Sequence, residues 1–286
     1  MMILIGSFYI IGGSSAVIFS PPDRDEYPVV DSDGTVLSSN LLDFSNDDIA
    51  VVGNIGFGYR FAPSIVSRSK LLGKNLRFET LASYFEGKDR HDTHISGSIL
   101  IGFDLENSDF RQVLGTGAFV DYESDYDFMD VSFGLKTDYT IIDDRLYVTP
   151  YIGGMYARFE QDFSTRLTND SDSTDYYLLT EKLKTNYWGA TVGAELKVNV
   201  FGRLHAFLGG MTSFMFADTD LDVNQSADGT ITFASAASDR EDKFAIRTTE
   251  SVGVSYDFDW FTVKLKGSID YWTQVATVGY DMPALA

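Results

Sequence analysis

The chain contains no cysteine, so no disulfide framework and no thiolate metal site can hold it together. Proline is scarce, at 6 of 286 residues, which removes the usual breakers of long regular elements. Basic residues are outnumbered, with 22 Lys and Arg against 42 Asp and Glu, a net charge of -20. Phosphate repels such a chain, and nucleic acid is excluded as a partner. Beyond the first twenty residues no run is long and apolar enough for a spanning helix. Catalytic signatures are also missing: there is no G-x-S-x-G, and Gly12-Gly13-Ser14, Gly153-Gly154 and Gly209-Gly210 sit in strand-like context rather than in phosphate loops. The reading is therefore of a protein that is not an enzyme and needs no cofactor.

Aromatic residues are abundant, 16 Tyr and 22 Phe beside 3 Trp. They fall within long segments of strict alternation. In 261–274, Phe261, Val263, Leu265, Ile269 and Tyr271 share one face, opposite Thr262, Lys264, Lys266, Ser268 and Asp270. A period of two is the signature of a strand with one apolar and one polar face. The same pattern sets Val131, Phe133 and Leu135 against Asp130, Ser132, Lys136 and Asp138. It sets Trp188, Val192, Leu196 and Val198 against Glu195 and Lys197, and Phe78, Ala82 and Tyr84 against Arg77 and Glu79. Several runs exceed the five or six residues usual in globular strands and match the roughly 9–11 that a tilted strand needs to cross a membrane.

These features predict an all-β chain forming a single transmembrane antiparallel up-and-down barrel over residues 1–286. Strands are expected near 4–19, 49–62, 73–86, 94–105, 112–123, 127–141, 145–164, 176–199, 203–217, 243–257 and 260–275. Single-chain bacterial barrels have even strand numbers. Eleven strands therefore imply a barrel of about 12 whose closing strand lies outside this sequence. The alternative is ten strands, with residues 1–20 outside the wall. The uncharged first twenty residues read foremost as a first strand. An atypical signal and a membrane helix are the other readings.

Tight turns are expected at Asp143-Asp144, Phe201-Gly202 and Asp257-Phe258-Asp259, and long outer loops near 20–48, 165–176 and 218–242. Short turns on one rim and long loops on the other fit an outer-membrane barrel. Residues 20–48 carry eight acids and one base, and 218–243 seven acids and two bases. These loops would meet lipopolysaccharide and divalent cations. Ringed residues near strand ends (Phe61, Tyr84, Phe103, Tyr122, Tyr126, Tyr139, Tyr147, Tyr256 and Trp260) are expected to form two interfacial girdles.

The polar faces supply the pore-lining candidates. These are Arg60, Arg77, Lys136, Lys197, Arg203, Arg247, Lys264 and Lys266 against Glu79, Asp130, Asp138, Glu195 and Asp270, with Asp104 and His205 beside them. Balanced charge of this kind suits cross-barrel ion pairs and a wet interior without strong charge selection. His91, Asp92 and His94 have a spacing that could hold a metal, but a hydrated loop is the favoured reading because no second ligand cluster accompanies them.

Two short segments carry a narrower resemblance: Tyr187-Trp188-Gly189 leading into Gly193-Ala194-Glu195-Leu196, and Asp270-Tyr271-Trp272. In them the chain resembles the pore-forming major outer-membrane proteins of the Legionella type. The resemblance implies passive diffusion of small polar solutes or ions through a bacterial outer-membrane porin, with outer-membrane lipid as surroundings and a homo-oligomer as a compatible assembly. A non-conducting structural or adhesive barrel that presents acidic loops to partners is the alternative, and an enzyme acting at the outer rim is the third reading.

Overall fold

The computed structural model describes residues 7–19, 29–30, 36–38, 48–62, 75–96, 99–103, 110–114, 117–142, 145–169, 174, 176–228, 233–273 and 275. No helix occurs among them. The strands in chain order are β1 (Ser7–Phe19), β2 (Val29–Val30), β3 (Val36–Ser38), β4 (Asp48–Arg60), β5 (Arg77–Ser96), β6 (Ile99–Phe103) and β7 (Phe110–Leu114). They continue with β8 (Gly117–Lys136), β9 (Tyr139–Ile142), β10 (Leu146–Asn169), β11 (Tyr176–Phe201), β12 (Leu204–Asp228), β13 (Phe233–Asp257) and β14 (Thr262–Trp272).

Ten of these strands form one strongly curled antiparallel sheet, a half-barrel of the up-and-down kind. Its order is β1-β4-β5-β8-β10-β11-β12-β13-β14, with β9 also on β10. β9 continues the line of β8, since Lys136 faces Tyr151 and Tyr139 faces Val148 in one unbroken register. The sheet ends on β1 and β14. The first segment is indeed a wall strand: Ser7–Phe19 pairs with Asp48–Arg60 along its whole length.

The strand list predicted from sequence needs three corrections. Residues 94–105 are not one wall strand: β5 runs on to Ser96, while β6 and β7 pair only with each other in a separate two-stranded sheet. The segments 112–123 and 127–141 are not two strands either, because β8 runs through from Gly117 to Lys136. Of the expected long loops, 218–242 is largely strand, and 165–176 is strand at 165–169 and 176. β10 reaches Asn169 before β11 begins at Tyr176, and β12 and β13 pair from Leu204↔Tyr256 up to Ala227↔Phe233. Most of 20–48 lies outside the described residues, as do Asp104 and the Asp143-Asp144 turn.

The turn at 201–203 holds Gly202 at φ +56°, a left-handed conformation that costs glycine little. The turn at 258–261 is closed by the Phe258 N–H donating to the Phe261 carbonyl at 2.8 Å. Both turns lie at the same end of the wall, its lower end.

Candidate functional site: the two-level interior

Alternation along each long strand assigns its side chains to the concave or the convex surface of the half-barrel. In the lower half the assignment follows the sequence reading. Phe133, Leu135, Ile152, Trp188, Val192, Leu196, Leu208, Phe214, Val252, Val254 and Leu265 stand exposed on the convex surface. The concave surface opposite carries the polar faces, and there the candidate residues gather.

One group joins four strands, β1, β5, β8 and β10. Tyr9 on β1 donates its hydroxyl to Glu79 at 2.6 Å. Arg77 reaches Glu79 and Asp138, each at 2.8 Å, Lys136 reaches Glu79, and Thr149 donates to Asp138 at 2.7 Å. A second group lies near the turns. Lys197 and His205 both meet Asp257, at 3.2 and 3.0 Å, and Lys264 meets Glu195 at 3.3 Å. Asp257 was missed in the sequence, where it read as a turn residue. Glycine makes room for these chains: a Cβ on Gly134 would strike the Tyr151 ring and the Gly153 backbone.

The third group bridges the interior. Arg247 on β13 donates to Asp130 on β8 at 2.8 Å, although β10, β11 and β12 separate those strands in the sheet. The same guanidinium holds Asp270 on β14 at 2.6 Å and lies 4.9 Å from the centre of the Trp272 ring. Trp272 in turn meets Tyr187 and Phe128, at centroid distances of 5.0 and 6.1 Å. Strong curl brings these distant strands together, and the cross-barrel ion pairing expected from mixed charge is realised here.

Not every candidate joins these groups. Arg203 does not join them: it sits in the lower turn, exposed, and pairs with Asp259 at 2.5 Å. Arg60 and Lys266 are exposed on the concave side. His91, Asp92 and His94 lie within β5, not in a loop. Along this extended backbone Asp92 and His94 share one face of the strand. No cluster of three metal-ligating side chains occurs among the described residues.

Above the level of Arg247 the two surfaces exchange character. On β8 the convex residues change from Met129, Val131, Phe133 and Leu135 to Asp127, Asp125, Glu123 and Asp121. On β11 they change from Trp188 to Lys184 and Lys182, and on β12 from Phe216 to Asp218, Asp220 and Asp222. Opposite-charge ladders cover this outer face: Lys88 with Glu123 and Asp125, Arg90 with Asp121, Lys182 with Asp162, and Arg240 with Asp218.

The concave surface at the same level is buried and carries the aromatic residues, with Ser124, Gln161, Thr165, Glu181, Thr185 and Gln225 buried among them. Tyr122, Tyr126, Met155, Ala157, Phe159, Phe163, Leu183, Tyr187, Met215, Ala217 and Ala245 form one buried cluster. Tyr122 and Tyr126, expected in a girdle, are interior residues instead. Tyr177, also buried here, donates to Gln225 at 3.1 Å, and burial pushes its hydroxyl well above the ordinary phenol range. Along the line of exchange runs an exposed aromatic row, with Trp188 against Phe216 at 5.1 Å and Phe216 against Phe244 at 6.1 Å. A second aromatic group, Tyr256, Phe258, Trp260 and Phe261, marks the lower turns.

Comparison with known protein families, curated proteins and solved structures found no match to this chain.

Proposed function

We propose that the chain is a transmembrane β-barrel protein of a bacterial outer membrane, and that its polar lower chamber passes small polar solutes or ions by diffusion. The observation that carries this reading is the exposed apolar belt between two aromatic rows, backed by charged side chains on the concave surface. Trp188 and Val200 bound that belt on β11. Twelve residue-to-residue steps of about 3.3 Å extend about 40 Å, and a tilt of about 45° leaves about 28 Å of height. Outer-membrane barrels present an apolar band of about 25 Å. A soluble sandwich would bury such a belt, because water makes large contiguous apolar surface costly.

The activity needs no catalytic group, only a wall greasy outside and polar within. It is the activity implied by the Legionella-type resemblance, but here it rests on wall geometry. Above the belt the charged ladders would stand among lipid headgroups and lipopolysaccharide, where divalent cations can bridge acids to phosphate. A second reading, a barrel that conducts nothing and presents this acidic surface to partners, is favoured by one observation: the aromatic cluster fills the upper interior.

Planar-bilayer recording of the folded full-length chain separates the two. Discrete conductance steps are expected. A correctly folded protein that inserts and gives no steps removes the pore and leaves the second reading.

A further inference from the structure

The three interior groups are not equivalent. The first two lie within the polar chamber and link side chains of the lower wall. Arg247 lies at the level where the surfaces exchange, with only 13% of its side chain exposed and Asp130 at 12%. Above it are Ala245, Ala157, Phe159 and Tyr187, all buried. Below it the concave residues of β13 are Thr249, Ser251 and Gly253, which are partly open.

We propose that Arg247, clamped between Asp130 and Asp270 and stacked on Trp272, is the closure between the polar chamber and the upper interior. It decides which solutes pass that level. The inference rests on the proposed pore, whose path must cross this level, and it names the residue that controls the crossing.

Four observations converge on this role. The ion pair to Asp130 spans the interior rather than neighbouring strands, so it ties opposite parts of the curled wall. Two carboxylates flank one guanidinium, and its planar fork can bond both at once. Trp272 lies under the guanidinium and carries the apolar contact onward to Tyr187 and Phe128. The Nε of Arg247 is buried without a hydrogen-bond partner, so the guanidinium is held by its two ends and by stacking. Such a group closes a passage to hydrated solutes while it stays paired. An incoming anion would compete with the two carboxylates for the same fork.

The chain has no cysteine, so a single introduced thiol reports access cleanly. Ala157 is fully buried, faces Asp130 in register on β8, and sits just above the closure. Ala157→Cys is made in the full chain, folded into vesicles, and reacted with a small membrane-impermeant thiol reagent. With Arg247 intact, labelling is expected to be slow. Arg247→Ala should accelerate it at least tenfold. Arg247→Lys, which keeps the charge but loses the fork, should fall between.

Should Arg247→Ala fail to fold, Asp270→Asn serves: it removes one clamp at a half-exposed position, and a severalfold acceleration is expected. Unchanged labelling in whichever of these variants folds overturns the closure. The readout does not depend on conductance. A barrel that never conducts but shows accelerated labelling keeps the closure and loses the pore. Conductance with unchanged labelling does the reverse.

Discussion

The lower and upper halves of the same strands use opposite rules. Below the Trp188–Phe216–Phe244 row the wall is apolar outside and charged inside; above it the wall is charged outside and packed with aromatic side chains inside. The upper half is built like a water-exposed β-barrel, in which apolar burial on the concave side holds the sheet. The lower half reverses that arrangement, and its exposed apolar face is the feature on which the proposed membrane frame rests. One continuous hydrogen-bonded ladder serves both, because backbone pairing does not depend on which face a side chain takes. Strand identity and face polarity are thus separate properties, and a strand can change the second without interrupting the first.

The largest expected effect tests the upper half. Phe159→Ala removes a buried ring from the cluster and should cost about 3–5 kcal/mol of stability. Phe133→Ala, on the exposed belt, should cost clearly less, because no closed cavity is left. Denaturant unfolding of the two variants, side by side, checks this, and equal losses would erase the distinction between the halves.

A smaller effect tests the lower half in the proposed membrane frame. Val192→Arg places a charge on the belt and should cost about 2–4 kcal/mol of folding into a bilayer. The same change at Thr180, on the convex face among charged residues, should stay within about 0.5 kcal/mol. Reversible folding into lipid vesicles measures both. A belt indifferent to Arg would mean that it does not face hydrocarbon.

The smallest effect concerns the upper charge ladders. Lys88 bonds Glu123 and holds its carboxyl below the ordinary range. A lowered folded pKa gives stability that is present above the unfolded value and lost as pH falls through the folded one. Nearby Asp121 is shifted upward, by burial and by a hydrogen bond with Asp92, and so opposes this effect. Lys88→Ala should therefore flatten the acid limb of the stability–pH curve slightly and leave neutral stability nearly unchanged. Unfolding midpoints between about pH 3 and 7, in wild type and variant, read the difference.

Most of the lower half could be read directly from the chain. Asp130, Lys136, Glu195 and Lys264 share the concave side because alternation admits nothing else. The upper half was misread for a physical reason. Within β8, apolar residues occupy even positions from Val120 to Phe128 and odd positions from Met129 onward. A change of phase at period two looks like a break in the chain, since a one-residue slip swaps the faces. Thus one strand was read as two, and the charged stretches at 165–176 and 218–242 were read as loops. The even placement of Val120, Tyr122 and Tyr126 between acids was the signal that could have revealed it.

The sequence by itself determined that this chain is an array of long antiparallel strands with a greasy and a polar face, because side-chain direction along an extended backbone follows from covalent geometry. Only the tertiary structure decided which distant strands meet across the interior. The contact of Arg247 with Asp130 and Asp270, and of Trp272 with Phe128, depends on the curl of the whole sheet, a sum of small twists that no local pattern encodes.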